Sequence, residues 1–125
     1  PNHQVGADRA TARGRRGGGV MKLHAEQRHT TDVVSAASVR KVFRKAEVPV
    51  QTSYNRADLP GGSTLGNISV SHVSVPTADI GLPQLAMHAS YETMAASDVT
   101  ALVAAMTGYY GSTLTCQRDG SYILA

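Results

Sequence analysis

Two stretches carry the residue types that can do chemistry. The first, Arg56-Ala57-Asp58-Leu59-Pro60-Gly61-Gly62-Ser63-Thr64-Leu65-Gly66-Asn67-Ile68, sets three glycines and two hydroxyls between an acidic residue and an apolar run. That composition suits a tight loop opening onto a helix N-terminus, where unpaired backbone N–H groups face an anion or a carbonyl oxygen. Alone it carries little, because a Gly-Gly turn feeding a helix is also an ordinary structural device. The second stretch, Asp79-Ile80-Gly81-Leu82-Pro83-Gln84-Leu85-Ala86-Met87-His88, ends on a histidine after two chain breakers. A lone histidine there reads either as a packed core side chain or as a metal ligand. Zinc takes three or four protein ligands, and His3, His24, His29 and His72 show no metal spacing such as two histidines four apart on a helix. No complete metal site is therefore expected from this chain by itself.

Read together, Asp58 to Gly66 and Pro83 to His88 resemble the C-terminal part of the aspartyl aminopeptidase family of two-zinc exopeptidases. The likeness extends, in the same order, to Val20-Met21-Lys22 with Gln27-Arg28 and to Val48-Pro49-Val50-Gln51, and covers about Val20 to Leu114. The family also has a His-Pro-Asn sequence shortly after a metal-binding Asp, and this chain opens at Pro1-Asn2. The resemblance implies a metallo-aminopeptidase that removes N-terminal, acidic residues from peptides, of which this chain is the C-terminal portion. In that family two zinc ions polarise the scissile carbonyl and activate water while a Glu acts as general base. That Glu and most metal ligands have no counterpart here.

Residue by residue, the resemblance makes His88 the last metal ligand and Lys22 the ammonium that meets the acidic side chain of the substrate's first residue, as a compact point charge. His29 stands where the family commonly has Tyr and would form one wall of that pocket. Gly61, Gly62, Ser63 and Thr64 would hold the substrate backbone or oxyanion through N–H donors, an effect worth about 3 kcal/mol per donor. Asp58 braces the glycine loop, and Glu92, four residues after His88, orients the His88 loop or ligand from behind. The implied partners are a peptide substrate and further copies of the chain, since family members form large, dodecameric assemblies in the cytoplasm.

Composition bounds these readings. The chain has 125 residues, 42% hydrophobic but only 5% aromatic with no Trp, so it makes at most one domain with an aliphatic, Ala/Val-rich core. No apolar run approaches the ~20 residues that span a bilayer, and no signal-peptide core is present, so a soluble protein is expected. One cysteine, Cys116, in a polar stretch reads as a free thiol in a reducing compartment. The net charge of +3 comes from local clusters, Arg9 to Arg16 and Arg40 to Lys45, without interleaved aromatics for base stacking. These read as a solvated face, and nucleic acid is not an expected partner.

The elements that position the candidate residues follow from periodicity. Pro1 to Gly19, polar and with five glycines, reads as a surface loop. Val20 to Ala25 alternates as a strand, with Lys22 and His24 on one face and Met21, Leu23 and Ala25 on the other. Thr30-Thr31-Asp32 caps an amphipathic helix from about Asp32 to Ala46, with Ala36, Val39, Phe43 and Ala46 inward. Val48 to Tyr54 reads as a strand into the glycine loop, Ser63-Thr64 as the cap of a helix through about Val70, and Val73 to Ile80 as another buried strand. The last helix is expected to start at an N-cap Ser97 and to bury Val99, Leu102, Val103, Met106, Tyr109 and Tyr110, ending near Gly111. Thr115 to Ala125 reads as a polar tail. Strands alternating with helices predict an α/β fold, a layered α/β/α sandwich with a mixed, largely parallel sheet. Two other readings stay open from the residues alone: a non-catalytic anion- or ligand-binding α/β domain, without the Lys-Ser/Thr ending of a phosphate loop, and an inactive structural or assembly fragment.

Overall fold

A computed structural model describes residues 16–24, 29–54 and 65–125. The chain is α/β, built on a mixed three-stranded sheet. Strand β1 (Gly19–Leu23) is central: β2 (Val50–Tyr54) pairs with it in parallel from Gly19↔Val50 to Leu23↔Tyr54, and β3 (Ile80–Gly81) pairs on its other side, antiparallel. Helix α1 (Val33–Lys45) makes the crossover between the two parallel strands. A central strand is covered on both faces, which is why Val20 and Met21, successive residues pointing opposite ways, are both fully buried.

Helix α1 follows its local chemistry closely. The Asp32 side chain accepts the Ser35 N–H at 2.7 Å while the Ser35 hydroxyl accepts the Asp32 N–H at 2.9 Å, a reciprocal capping box. At the other end Val48 N–H reaches Phe43 O and Glu47 N–H reaches Arg44 O, the two bonds of a Schellman motif. The turn requires a left-handed residue, and Glu47 supplies it at φ 56° where glycine is usual. The inward face carries Ala36, Val42 and Phe43, with Val39 and Ala46 partly buried beside them. Arg40, Arg44 and Lys45 are exposed. The core joins Val42 and Phe43 of α1 to Ala105 of the last helix and to Leu124.

Several expectations are corrected. Val73 to Ile80 is not a buried strand: Val73 and Val75 are exposed, and the strand that pairs with β1 is only Ile80–Gly81. Local bonds turn the chain back before it reaches that edge, Val75 N–H to Val73 O and Thr77 Oγ1–H to Val75 O. The last helix, α3 (Ala96–Tyr110), is capped at Ala95 with no side-chain bond, so Ser97 lies inside it. Its buried face is Asp98 and Ala105, with Leu102 packed on the core, while Val99, Val103, Tyr109 and Tyr110 are exposed. Small Ala105 lets α3 approach α1, and the Asp98 side chain turns inward, rotating the larger apolar residues outward. Thr115 to Ala125 is no tail: β6 (Leu114–Cys116) and β7 (Tyr122–Leu124) form an antiparallel hairpin. Leu124 enters the core and its carbonyl accepts the Lys41 ammonium at 2.6 Å. Two further short strands, β4 (Gln84–Leu85) and β5 (Thr93–Met94), pair antiparallel. Helix α2 (Leu65–His72) buries none of its residues and runs two residues beyond Val70.

The stretch read as a surface loop up to Gly19 is, in its described part, packed. Gly18 stands at φ 74°, and a Cβ there would lie 2.0 Å from Pro49 O; a Cβ on Gly19 would lie 2.6 Å from the Phe43 ring. Only glycine lets the start of β1 lie against the loop before β2 and against α1.

Candidate active site

Two of the candidate residues, Lys22 and His29, are brought together near the end of β1. In α/β sheets, ligands are bound beyond the carboxyl ends of parallel strands, and Lys22 sits at that end of β1. Its Nζ lies 3.7 Å from Asp79 Oδ1. Asp79 stands immediately before β3, and its carbonyl accepts the Lys22 N–H at 2.9 Å. The other carboxylate oxygen, Oδ2, takes His29 Nδ1 at 3.1 Å. His29 is 6% exposed and meets the His24 ring edge-on, with centroids 5.9 Å apart. Lys22 and His24 thus share a side, as strand alternation required. Burial pushes the His29 pKa below its ordinary 6.5, outweighing the opposite pull of the Asp79 carboxylate; Lys22 and His24 add to the lowering. A neutral ring facing an acceptor-only carboxylate carries its proton on Nδ1.

Thr31 completes the cluster. It is 3% exposed, and its Oγ1 accepts the Asp79 backbone N–H at 2.7 Å. Sequence reasoning quoted Asp79 without a role and gave Thr31 only cap chemistry. The signal that could have found Asp79 is its position: a carboxylate just before a strand whose partner carries an inward-facing lysine.

His88 lies apart from that cluster in sequence, in the loop joining β4 and β5, and it is exposed. Ala86 and His88 both adopt left-handed backbone, φ 52° and 71°, in a turn closed by Ala89 N–H to Ala86 O at 2.9 Å. Glu92 holds this turn: one carboxylate oxygen accepts the His88 backbone N–H at 2.5 Å and the other accepts the Gln84 side-chain amide. The imidazole is therefore presented outward on a backbone fixed from beneath. Among the described residues no three His, Cys, Asp or Glu side chains lie together as a metal site. As a donor set this fits one ligand of a shared zinc centre and does not fit a centre held by the described residues of this chain alone. Asp58, Gly61, Gly62, Ser63 and Thr64 lie outside the described residues, and their assignments stand as sequence readings.

Comparison with known proteins converges on one family. The family model described as aminopeptidase I zinc metalloprotease (M18) matches residues 1–110. A probable M18 family aminopeptidase 2 of Mycobacterium tuberculosis is 41% identical over 98 residues, which is 78% of this chain and 23% of that protein. The Pseudomonas aeruginosa protein of the same description is 41% identical over 96 residues, 77% of this chain and 22% of the relative. The chain thus spans about 23% of the length of the relatives it matches. Among solved structures, the cryo-EM structure of the Ape4 and Nbr1 complex superposes with TM-score 0.82 at 30% identity, over 88% of this chain and 21% of that one. The crystal structure of prApe1 superposes with TM-score 0.81 at 25% identity, over 89% and 23%. With a matching family model over residues 1–110 and relatives of that family 41% identical to it, the chain belongs to the aminopeptidase I zinc metalloprotease (M18) family.

Proposed function

We propose that this chain forms the C-terminal part of the catalytic domain of a zinc aminopeptidase that removes acidic N-terminal residues from peptides. Family membership supports the peptidase reading. The observation that carries the acidic preference is the Lys22 ammonium, 28% exposed at the end of β1 with Gly81 beside it, since an added Gly81 Cβ would lie 3.8 Å from Lys22 Cε. With no side chain at position 81, the ammonium is open to an incoming carboxylate, which it meets with a charge-assisted bond. His29 walls the same pocket. Backbone N–H groups of Gly61 to Thr64 hold the substrate backbone or its developing oxyanion, with Asp58 bracing that loop.

His88 is one protein ligand of a centre of two zinc ions, and Glu92 keeps its backbone in place. Zinc, when bound there, supplies Lewis-acid polarisation of the peptide carbonyl. The 125-residue chain by itself, with one ligand of the set, is expected to turn over no substrate. The working enzyme is a homo-oligomer, in keeping with the exposed apolar face of α3, and it works in the cytoplasm, in keeping with the exposed free Cys116. No helix among the described residues is long and apolar enough to cross a membrane.

The test is a comparison of aspartyl, glutamyl and leucyl anilides with the complete enzyme, with and without chelator, for wild type and Lys22→Met. Loss of a hydrogen bond between charged groups costs roughly 1.5–3 kcal/mol, about ten- to a hundredfold in kcat/KM. That loss is expected on the acidic substrates only. Equal losses on all three would remove Lys22 from the pocket, and chelator-resistant turnover would remove zinc from the mechanism.

A further inference from the structure

Asp79 touches both side chains assigned to the acidic pocket, and it has no assigned part in binding or catalysis. It is anchored on every side. Its backbone N–H is held by Thr31 Oγ1 at 2.7 Å, its carbonyl by Lys22 N–H at 2.9 Å, and its Oδ2 by His29 Nδ1 at 3.1 Å. Exposure is graded through the group: the His29 side chain is 7% exposed, that of Asp79 11%, and that of Lys22 28%. The His29 ring is therefore the deepest of the three groups and the ammonium the most exposed, with the carboxylate between them.

We propose that Asp79 is a positioning residue that aims the Lys22 ammonium at the acidic side chain of the substrate's first residue and fixes the His29 ring as a wall beside it. The inference rests on the aminopeptidase reading above. A lysine stem has four rotatable carbons and no fixed direction of its own, so a pocket that uses one needs a second group to aim it. Asp79 does this from beneath. At 3.7 Å from Oδ1 the ammonium is steered without being consumed, because a committed charge-assisted bond closes to about 2.7–2.9 Å. Its remaining protons stay available at the rim. The same carboxylate accepts the Nδ1 proton of His29, which fixes the orientation of the ring as a wall beside the ammonium. A partly exposed ion pair of this kind adds little to folding stability. Its consequence falls on recognition instead.

The experiment measures kcat and KM of the complete enzyme on aspartyl and leucyl anilides for wild type, Asp79→Asn, Asp79→Glu, Lys22→Met and the double variant Lys22→Met with Asp79→Asn. For Asp79→Asn the aspartyl kcat/KM is expected to fall at least tenfold, chiefly through KM, with the leucyl value changed less than threefold. The double variant should be no worse on the aspartyl substrate than Lys22→Met alone, because the two side chains act as one unit. Asp79→Glu, which keeps the charge but moves it by a methylene, should lose at least threefold in aspartyl-over-leucyl selectivity, and it carries the test should Asp79→Asn fail to fold. Equal losses on both substrates would make Asp79 a structural strut and overturn the proposal. Unchanged or increased acidic selectivity in either Asp79 variant would also overturn it, as would additive losses in the double variant. A wild-type enzyme without acidic preference would instead sink the parent reading, and the role of Asp79 with it.

Discussion

The buried carboxylate of Asp98, on α3, accepts the backbone N–H of Gly18 at 3.0 Å across 80 residues of sequence, and its second oxygen accepts the N–H of Arg16 at 2.9 Å. Both donors belong to a turn with left-handed backbone, φ 64° at Arg16 and 74° at Gly18, which the carboxylate closes like an anion in a nest. This contact fixes the entry to β1, and so the strand on which Lys22 stands, to the helix that covers it.

Asp98→Ala leaves two N–H groups facing a cavity, and a buried hydrogen bond to a charged group contributes roughly 1.5–3 kcal/mol. Urea unfolding is expected to show at least that loss, with Asp98→Asn intermediate because the amide keeps one acceptor. A midpoint unchanged in both variants would show that the turn closes without the carboxylate.

Glu47 occupies the left-handed position of the Schellman turn after α1 at φ 56°. A residue with a Cβ is disfavoured there by about 1–2 kcal/mol, whereas glycine is not. Glu47→Gly is accordingly expected to raise the unfolding midpoint, by up to about 1 kcal/mol after the added freedom of the unfolded chain is subtracted. A lower midpoint would mean that the Glu47 side chain contributes more than its backbone costs.

His29 sets a pH dependence whose sign can be worked out. Its folded pKa lies below the ordinary 6.5 because burial disfavours the imidazolium. As pH falls through 6.5 the unfolded chain takes up the proton before the folded chain does, so stability drops from there down to the lowered folded value and then levels off. Above pH 6.5 the group contributes no slope. Unfolding midpoints measured from pH 8 to 5 should show this fall, and His29→Phe should flatten it; a fall of the same size in the variant would assign the slope to other groups.

His88→Ala separates ligand from structure. The side chain is exposed on the β4–β5 loop, so its removal is expected to leave the unfolding midpoint of the chelator-treated, metal-free enzyme unchanged while lowering bound zinc and most of the activity of the loaded one. Full zinc content in the variant would refute the assignment. Glu92→Gln weakens the acceptor of the His88 N–H and should lower zinc occupancy by a smaller amount in the same measurement.

Much of the fold was legible without coordinates wherever the deciding interactions are local. Thr30-Thr31-Asp32 and Pro49 bracket α1, and the apolar spacing Ala36, Val39, Phe43, Ala46 chooses its inner face, so its bounds were read to within a residue. The α/β class followed from the alternation of such segments, and the family from ordered motifs around Lys22, Pro49, Gly61 and His88. Long-range contacts decided the rest. Whether Val99, Val103 and Tyr110 of α3 face inward depends on how closely α3 approaches α1, and Ala105, packed on Val42 and Phe43, and Asp98, bonded to Arg16 and Gly18, settle that through partners distant in sequence. Leu124 enters the core only because the hairpin returns to α1, where Lys41 meets its carbonyl. Sheet pairing of β3 with β1 brings Asp79 to Lys22, and His29 meets it from 50 positions earlier in the chain. Periodicity reports which residues share a face, but not what that face meets. The tertiary structure alone brought a carboxylate beneath the ammonium.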